Sequence, residues 1–334
     1  MFKVRYQQMN KILKQQLSSL FPLARFAEPL SAHCTFRIGG PADAFIEIPS
    51  LDARTTRKLA ELLKFLNKSK IPFFILGGGS NVLFHDKGFS GVVIKIASNE
   101  IRFNNSKTAK SQNTVEADTG ANLQFLITKA KGFQNLLQFT GIPGTLGGAV
   151  RGNAGANGIE IKDVLVSAKL LNTKTGAIKT FTNKQLKFTY RNSYIKKNPN
   201  FIVLSAKLKL KKFSKKELEE KKELFAKIAT YRQETQPWGL SAGSFFKNPK
   251  NNKAGYLIDQ CGLKGTKIKG VTISEKHANF FQNLNNPRYP ATQKDLLSLA
   301  KKAKKAVFKK FKIRLEEEVQ VVARKPKPTK KPRK

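Results

Sequence analysis

The sequence predicts an α+β protein of two or three domains. Three observations carry that expectation. The chain has 334 residues, 40% of them hydrophobic, enough for more than one sizeable core at ~100–200 residues per domain. Its first third alternates strand, helix and strand, whereas the middle reads as a hairpin followed by a long alternating strand. Beyond a charged helix near residue 214 a new strand–helix alternation begins, which marks a domain boundary.

The elements follow in order. An amphipathic helix opens the chain and gives residues 1–24 the look of a helical extension. Phe45–Ser50 is a short alternating strand. Leu59, Leu62, Leu63 and Leu66 form a helical stripe over Thr55–Lys68. Pro72–Phe84 is apolar and interrupted by a glycine turn, and Gly91–Ile96 is a further strand, giving a βαβ-like unit. Thr114–Gly120 reads as a strand and Ala121–Lys131 as a helix. A glycine-rich loop then runs from Gly141 to Gly158. Val164–Thr182 is a hairpin turning at Gly176, and Phe201–Lys212 is a strand. The boundaries drawn are 25–98, 99–213 and 214–323. In the last region Ser214–Arg232 is a charged helix, Ala254–Gly262 a short helix ended by glycine, and Val271–Glu275 and Asn279–Leu284 strands. Thr292–Phe311 is a long helix with Thr292 and Asp295 at capping-box spacing. Leu315–Ala323 closes the fold as a strand.

Composition excludes several classes. Cys34 and Cys261 stand alone, so no disulfide framework exists and a reduced, cytoplasmic setting is expected. Three histidines and two cysteines supply no ordinary zinc site. No apolar run approaches ~18 residues, so membrane insertion is not expected, and the N-terminus lacks the apolar centre of a signal peptide. The 63 Lys+Arg against 22 Asp+Glu give a net charge of +41, which raises a nucleic-acid reading. The lysines, however, are spread over nearly every segment. Only the tail 324–334 is dense, with seven basic residues in eleven, and it contains no aromatic residue for stacking on bases. A solvated extension is the expected state of that tail.

Two glycine-rich segments carry the chemistry. Leu76–Asn81 follows an apolar strand, and its three glycines leave backbone N–H groups uncovered. It is neither a GxGxxG fingerprint nor a P-loop, and an ordinary tight turn is the competing reading. Gly141–Gly158 holds seven glycines in eighteen residues, a backbone costly to order. Ile142, Leu146 and Val150 argue against a flexible linker, so a loop wrapped on a large flat ligand is expected, with Asn153 offering an amide to it. Two such loops without a Rossmann fingerprint suggest a dinucleotide.

TFRIGGPA (Thr35–Ala42), ILGGGSN (Ile75–Asn81), GIPGTLGGAVRGNAGANG (Gly141–Gly158), TYRNSY (Thr189–Tyr194), SAGSFFKNP (Ser241–Pro249), AGYLIDQCGLKG (Ala254–Gly265), HANF (His277–Phe280) and LEEEV (Leu315–Val319) occur in this order. Together they resemble the UDP-N-acetylenolpyruvoylglucosamine reductase (MurB) family of peptidoglycan synthesis, over roughly Leu30 to Ala323. The resemblance implies a two-part FAD-binding domain of the vanillyl-alcohol-oxidase (PCMH) type, a C-terminal α/β substrate domain, noncovalent FAD, and NADPH as co-substrate. It implies a cytoplasmic monomer acting on a small-molecule UDP-sugar, with no covalent flavin link at His85.

The residues then acquire expected roles. Gly77, Gly78, Gly79, Ser80 and Asn81, with Gly144, Thr145, Gly147, Gly148, Asn153 and Gly155, would hold the flavin. The implied reaction reduces an enolpyruvyl ether, and hydride arrival leaves negative charge beside the substrate carboxylate, which needs cationic support and a proton. Arg191 matches the family's catalytic arginine, whose planar fork suits a carboxylate gaining charge. Ser244 matches its proton donor. A serine hydroxyl is a weak acid, but an enolate carbon is a strong base. Glu318 matches its glutamate. Strand alternation would put Glu316 and Glu318 on one face, and a neighbouring carboxylate would raise the pKa of Glu318 so that it donates. Asn248 is expected on the sugar or diphosphate. Lys247 fits a phosphate or a mere surface position equally. Tyr190 and Arg232 are further candidates for substrate or nicotinamide contact, and His277 reads as structural.

The chain departs from the family pattern at Arg151–Gly152, which replace a larger and less charged pair. The short Tyr194–Gln236 segment resembles the subfamily lacking an additional tyrosine-bearing substrate loop. Two other functions compete. An FAD-dependent oxidase of the same fold would share the glycine loops but has no reason to carry GSFFKNP, and a basic nucleic-acid-binding protein would interleave aromatics with its cations.

Overall fold

The structure, a computed structural model, describes residues 13–104, 113–130, 134–156 and 158–325. The chain divides into two compact units, neither continuous in sequence. The first takes residues 1–28, 42–77 and 91–211, and the second residues 29–41, 78–90 and 212–334.

The first unit contains two sheets. One runs in the order Arg25–Pro29, Pro41–Ile48, Phe89–Ile96, Phe73–Leu76, and its last two strands are parallel. The connecting helix Ala53–Lys68 starts where Asp52 accepts from the Thr55 N–H at 2.8 Å. The bonds from Ser50 and Thr55 hold the Asp52 carboxyl down at about 2. Leu59, Leu62, Leu63 and Leu66 are completely buried, and Leu13 and Leu17 of the helix over residues 13–20 join the same core. The other sheet is antiparallel, in the order Ile178–Thr182, Leu165–Asn172, Phe201–Lys209, Thr114–Asp118, Ile101–Asn104. Its central strands are covered on both faces. Leu170 and Val203 point into a core shared with the helices Leu123–Lys129 and Leu146–Gly152. Leu171, Ile202 and Leu204 point the other way, into the core of the Ala53–Lys68 helix.

In the second unit the strands Leu240–Ser244, Phe280–Asn283, Val271–Ile273 and Lys267–Ile268 form an antiparallel sheet. The helix Gln293–Phe311 starts at Thr292, which accepts from the Asp295 N–H at 3.0 Å, and Asp86 accepts from the Gln293 N–H at 2.6 Å. Val82–Phe84 and Gln320–Val322 pair in parallel.

Two expectations need correction. The glycine-rich segment is not a loop throughout, because Leu146–Gly152 is helical. Thr145 caps it, and Leu146, Ala149 and Val150 bury one face at helical spacing, which outweighs the glycines. The closing strand is only Gln320–Val322. Residues 315–319 instead follow Phe245–Lys247 through a single bridge, Phe246 to Glu317, and separate backbone bonds, so strand alternation does not sort the three glutamates. The opening helix and the basic tail fall largely outside the described residues, which begin at 13 and end at 325.

Candidate functional site

In the first unit three turns converge. Gly77 lies against Thr145, whose Oγ1 would be 2.6 Å from a Cβ on that glycine. Leu146 N–H donates to the Ala121 carbonyl at 2.9 Å, Gly147 N–H to Thr119 at 2.9 Å, and Leu123 N–H to Gly144 at 3.0 Å. A Cβ on Gly147 would stand 1.7 Å from Thr119 Oγ1, and one on Gly155 would stand 2.3 Å from the Ile159 carbonyl. These three glycines are therefore required by the chain's own close packing, a reason that the cofactor expectation did not include. Gly148 and Gly152 differ. An added Cβ meets only Thr145 Oγ1, at 3.7 Å, on the first and nothing within 4 Å on the second. The segment is thus fixed at both ends yet uncovered along its middle, which fits a large flat cofactor such as FAD.

Asn153 does something other than expected. It is completely buried in the left-handed conformation, φ 47°. Its Nδ2 donates to Glu160 at 2.9 Å and to the Thr189 carbonyl at 3.1 Å, and its Oδ1 accepts from the Lys162 N–H at 3.1 Å. The amide is thus engaged within the protein by three hydrogen bonds. Asn153 anchors the turn that presents Tyr190 and Arg191.

That turn is tight. Thr189 and Asn192 exchange both backbone bonds, at 3.1 and 3.0 Å, and Arg191 takes φ 52°, a left-handed conformation costing a non-glycine residue roughly 1–2 kcal/mol. Lys196 Nζ on the Arg191 carbonyl at 2.8 Å and Arg191 Nη1 on the Gly155 carbonyl at 3.1 Å hold it there. Tyr190 is half exposed, its ring 5.5 Å from the Arg191 guanidinium. Ser193, fully buried, donates from Oγ to the Arg151 carbonyl at 2.7 Å. Three bonds thereby clasp residues 151–155 to residues 189–193.

In the second unit the Gly78–Asn81 part of the first glycine turn is held by Thr35 N–H on the Gly79 carbonyl at 3.1 Å. Gly79 has φ 67°, and a Cβ there would stand 2.1 Å from the His33 carbonyl. Asn81 Nδ2 donates to the Glu318 carbonyl at 3.2 Å, and Gln320 N–H donates back to the Asn81 carbonyl at 3.0 Å. Glu318 N–H also donates to the Phe245 carbonyl at 2.8 Å. The residue after Ser244 therefore carries Glu318, and Asn81 steadies Glu318 from the other side. Glu316 pairs with Lys247 at 3.0 Å and Glu317 with Lys304 at 2.5 Å, so both neighbouring carboxylates have structural duties.

Ser244 ends its strand opposite Phe280, just after an irregularity at Ala242–Gly243, where Gly243 has φ 71°. Asn279, almost fully buried, locks the next two residues. Its carbonyl accepts from Phe245 N–H at 2.7 Å, its Oδ1 from Phe246 N–H at 2.9 Å, and its Nδ2 donates to the Phe246 carbonyl at 2.8 Å. Phe245, Phe246 and Phe281 stack beneath, with ring centroids 4.5–5.7 Å apart. His277 Nδ1 accepts from the Asn279 N–H at 3.1 Å, and burial pushes its imidazole pKa down. It stands behind the serine, holding Asn279.

Two substrate-binding expectations change. Lys247 is engaged by Glu316, which favours the surface reading. Asn248 Oδ1 accepts from the Ala254 N–H at 3.0 Å, covering the first turn of the helix Ala254–Asp259, so this side chain serves that helix start. Arg232, on the helix Lys215–Thr235, is half buried, and burial lowers its pKa. Asn279 and Asn81 went unrecognised as positioning residues. HANF contained the first, but only the fold shows what its amide holds. Among the described residues no cluster could hold a metal ion, and no helix is long and apolar enough to cross a membrane.

Comparison with known proteins covers most of the chain. Residues 51–182 match a family model described as an FAD binding domain, and residues 234–322 match one described as UDP-N-acetylenolpyruvoylglucosamine reductase, C-terminal domain. The UDP-N-acetylenolpyruvoylglucosamine reductase of Clostridioides difficile is 42% identical over 299 residues, 88% of this chain and 92% of that protein. That of Bacillus subtilis is 35% identical over 88% of this chain and 92% of its own length. The crystal structure of UDP-N-acetylenolpyruvylglucosamine reductase from Thermus caldophilus superposes with a TM-score of 0.68 at 31% identity, covering 89% of this chain and 97% of that one.

Proposed function

The chain belongs to the UDP-N-acetylenolpyruvoylglucosamine reductase family, and from that premise we propose how its residues share the work of reducing UDP-N-acetylglucosamine enolpyruvate to UDP-N-acetylmuramate. It is an FAD- and NADPH-dependent oxidoreductase of cell-wall precursor synthesis. FAD, when bound, carries a hydride from NADPH to the terminal enol carbon. The uncovered backbone at Gly148 and Gly152, with Thr145 and Gly77 beside it, would receive the cofactor. Gly78–Asn81 are further candidates for holding it.

Arg191 binds the substrate carboxylate and supports the negative charge that grows on it, because a fixed fork loses little orientational freedom as that charge appears. Ser244 Oγ delivers the proton to the carbon next to the carboxylate. Glu318 assists the same protonation from beside the serine. The observation that carries this assignment is the bond from Glu318 N–H to the Phe245 carbonyl, which supports serine and glutamate acting as one proton-handling pair. Tyr190 and Arg232 complete substrate or nicotinamide contact. The reading brings with it a cytoplasmic monomer whose partners are NADPH and the UDP-sugar.

The test separates the two halves of the reaction. NADPH should bleach the purified yellow protein, and the enolpyruvyl UDP-sugar should restore its colour. In Ser244→Ala the first step should proceed near the normal rate, and the second should slow by about two decades or more. A colourless protein that cannot take up FAD sinks the reading. Equal slowing of both halves would reassign Ser244 to binding or folding.

A further inference from the structure

Arg151 is the one cation of the glycine-rich segment Gly141–Gly158. It occupies the last turn of the helix Leu146–Gly152, and its side chain is half buried. Among the described residues nothing accepts a hydrogen bond from its guanidinium and no carboxylate pairs with it. The acids of the adjoining stretch are committed, Glu160 to Asn153 and Lys162, and Asp163 to the Glu160 N–H. Burial accordingly pulls its pKa down, with no acid opposing the shift.

Such a residue is costly. Taking a cation partly out of water without a partner opposes folding. The helix C-terminus offsets only part of that, and it answers none of the five N–H donors. The surroundings are nevertheless built rather than loose. Ser193 pins the Arg151 carbonyl, Asn153 is locked two residues further on, and Gly152 between them has open space on the side a Cβ would take. Arg191 stands on the other half of the same clasp, tied to Gly155.

We infer that Arg151 is a second anion-binding arginine of the ligand site, whose guanidinium pairs with a phosphate or carboxylate of a nucleotide ligand seated on this segment. The inference rests on the segment being the cofactor and substrate cradle proposed above. The helix N-terminus and Arg151 lie at opposite ends of the helix, so this anion is separate from any group held near Thr145. Both FAD and the UDP-sugar carry suitable groups, and the experiment tells them apart.

Arg151→Met removes charge and donors while keeping an unbranched side chain. Arg151→Lys keeps the charge and loses the fork. For each full-length variant, FAD release on dilution of the holoprotein and titration of the holoprotein with the enolpyruvyl UDP-sugar give two dissociation constants, at low and at high salt. The melting temperature of the FAD-depleted chain gives a third reading. The Met variant should weaken one of the two ligands about tenfold or more, with the Lys variant in between and the gap narrowing at high salt. Loss on the FAD arm assigns the anion to the cofactor, and loss on the UDP-sugar arm assigns it to the substrate. The FAD-depleted Met variant should melt at or above the wild-type temperature, because an unanswered buried cation has been removed. The inference is overturned if both constants stay within about threefold of wild type, or if the Met variant melts well below wild type or fails to fold, since the arginine then serves the fold. A wild-type chain that binds neither ligand would instead refute the proposed function.

Discussion

The seats of Arg191 and Ser244 are built in opposite ways. Arg191 rests on polar material. Fully buried Asn153 and Ser193, a left-handed backbone and three clasping hydrogen bonds hold the turn that presents it. Ser244 rests on apolar material. Three phenylalanines in mutual ring contact lie at the strand end, with Asn279 as a polar lock on the next two residues. The difference follows from what each side chain must do. A guanidinium fork has many rotors and needs its backbone aimed by directional bonds. A serine hydroxyl has one rotor, so a rigid floor suffices to fix where its oxygen stands.

The comparison breaks first at the apolar seat. Phe281→Ala removes the ring 4.5 Å from Phe245 and should cost about 3–5 kcal/mol of stability, read from the urea unfolding midpoint. The bond from Glu318 N–H to the Phe245 carbonyl should loosen with it, slowing flavin reoxidation while NADPH reduction persists. Asn153→Ala strikes the polar seat. It removes three hydrogen bonds, to Glu160, to the Thr189 carbonyl and from the Lys162 N–H, and should cost about 2–4 kcal/mol in the same measurement. Substrate affinity should fall as well, because the arginine turn loses its anchor. If Asn153→Ala were neutral in both readouts, the polar seat would be dispensable and the contrast would fail.

The smallest expected effect sharpens the apolar side. His277 accepts from the Asn279 N–H at Nδ1, and burial lowers its pKa below the ordinary 6.5. The unfolded chain therefore binds a proton before the folded one does. The stability due to the neutral imidazole is complete above pH 6.5 and is lost as pH falls through the lower folded value. Unfolding midpoints measured down that range should decline in the wild type and decline less in His277→Gln. Parallel curves for the two proteins would show that the histidine does not titrate in this window.

Much of this was legible in the residues. The leucine stripe of Ala53–Lys68, the hairpin about Gly176 and the capped helix Gln293–Phe311 declare themselves because periodicity and local capping decide them. The helix Leu146–Gly152 was hidden, since its glycines disfavour helix and only the burial of Leu146, Ala149 and Val150 reverses that preference. The strand expected over Leu315–Ala323 shrank to three residues because its first half bonds to Phe245–Lys247, a long-range partner that no local pattern announces. At the site, Asn153 and Asn248 were recognised as important amides but given to a ligand. Whether an amide faces outward or is consumed inward depends on neighbours such as Thr189 and Ala254, far away or hidden in sequence. Arg151 did leave a signal, a lone charge amid glycine and aliphatic residues, though its lack of a partner is visible only in three dimensions.

Asn81 and Glu318, which hold each other, are 237 positions apart, and the strand after Asn81 has its parallel partner at Gln320–Val322. During synthesis at about 5–20 residues per second, Val82–Phe84 leaves the ribosome roughly 10–50 seconds before that partner. For this interval an apolar strand edge has nothing to pair with and is a natural target for chaperones or for misassembly. The first unit has no such wait, since every segment of it precedes Lys211. Translation order thus makes the first unit the earlier one to fold, and a message broken before the codon for Gln320 yields a chain whose second unit cannot pair Val82–Phe84.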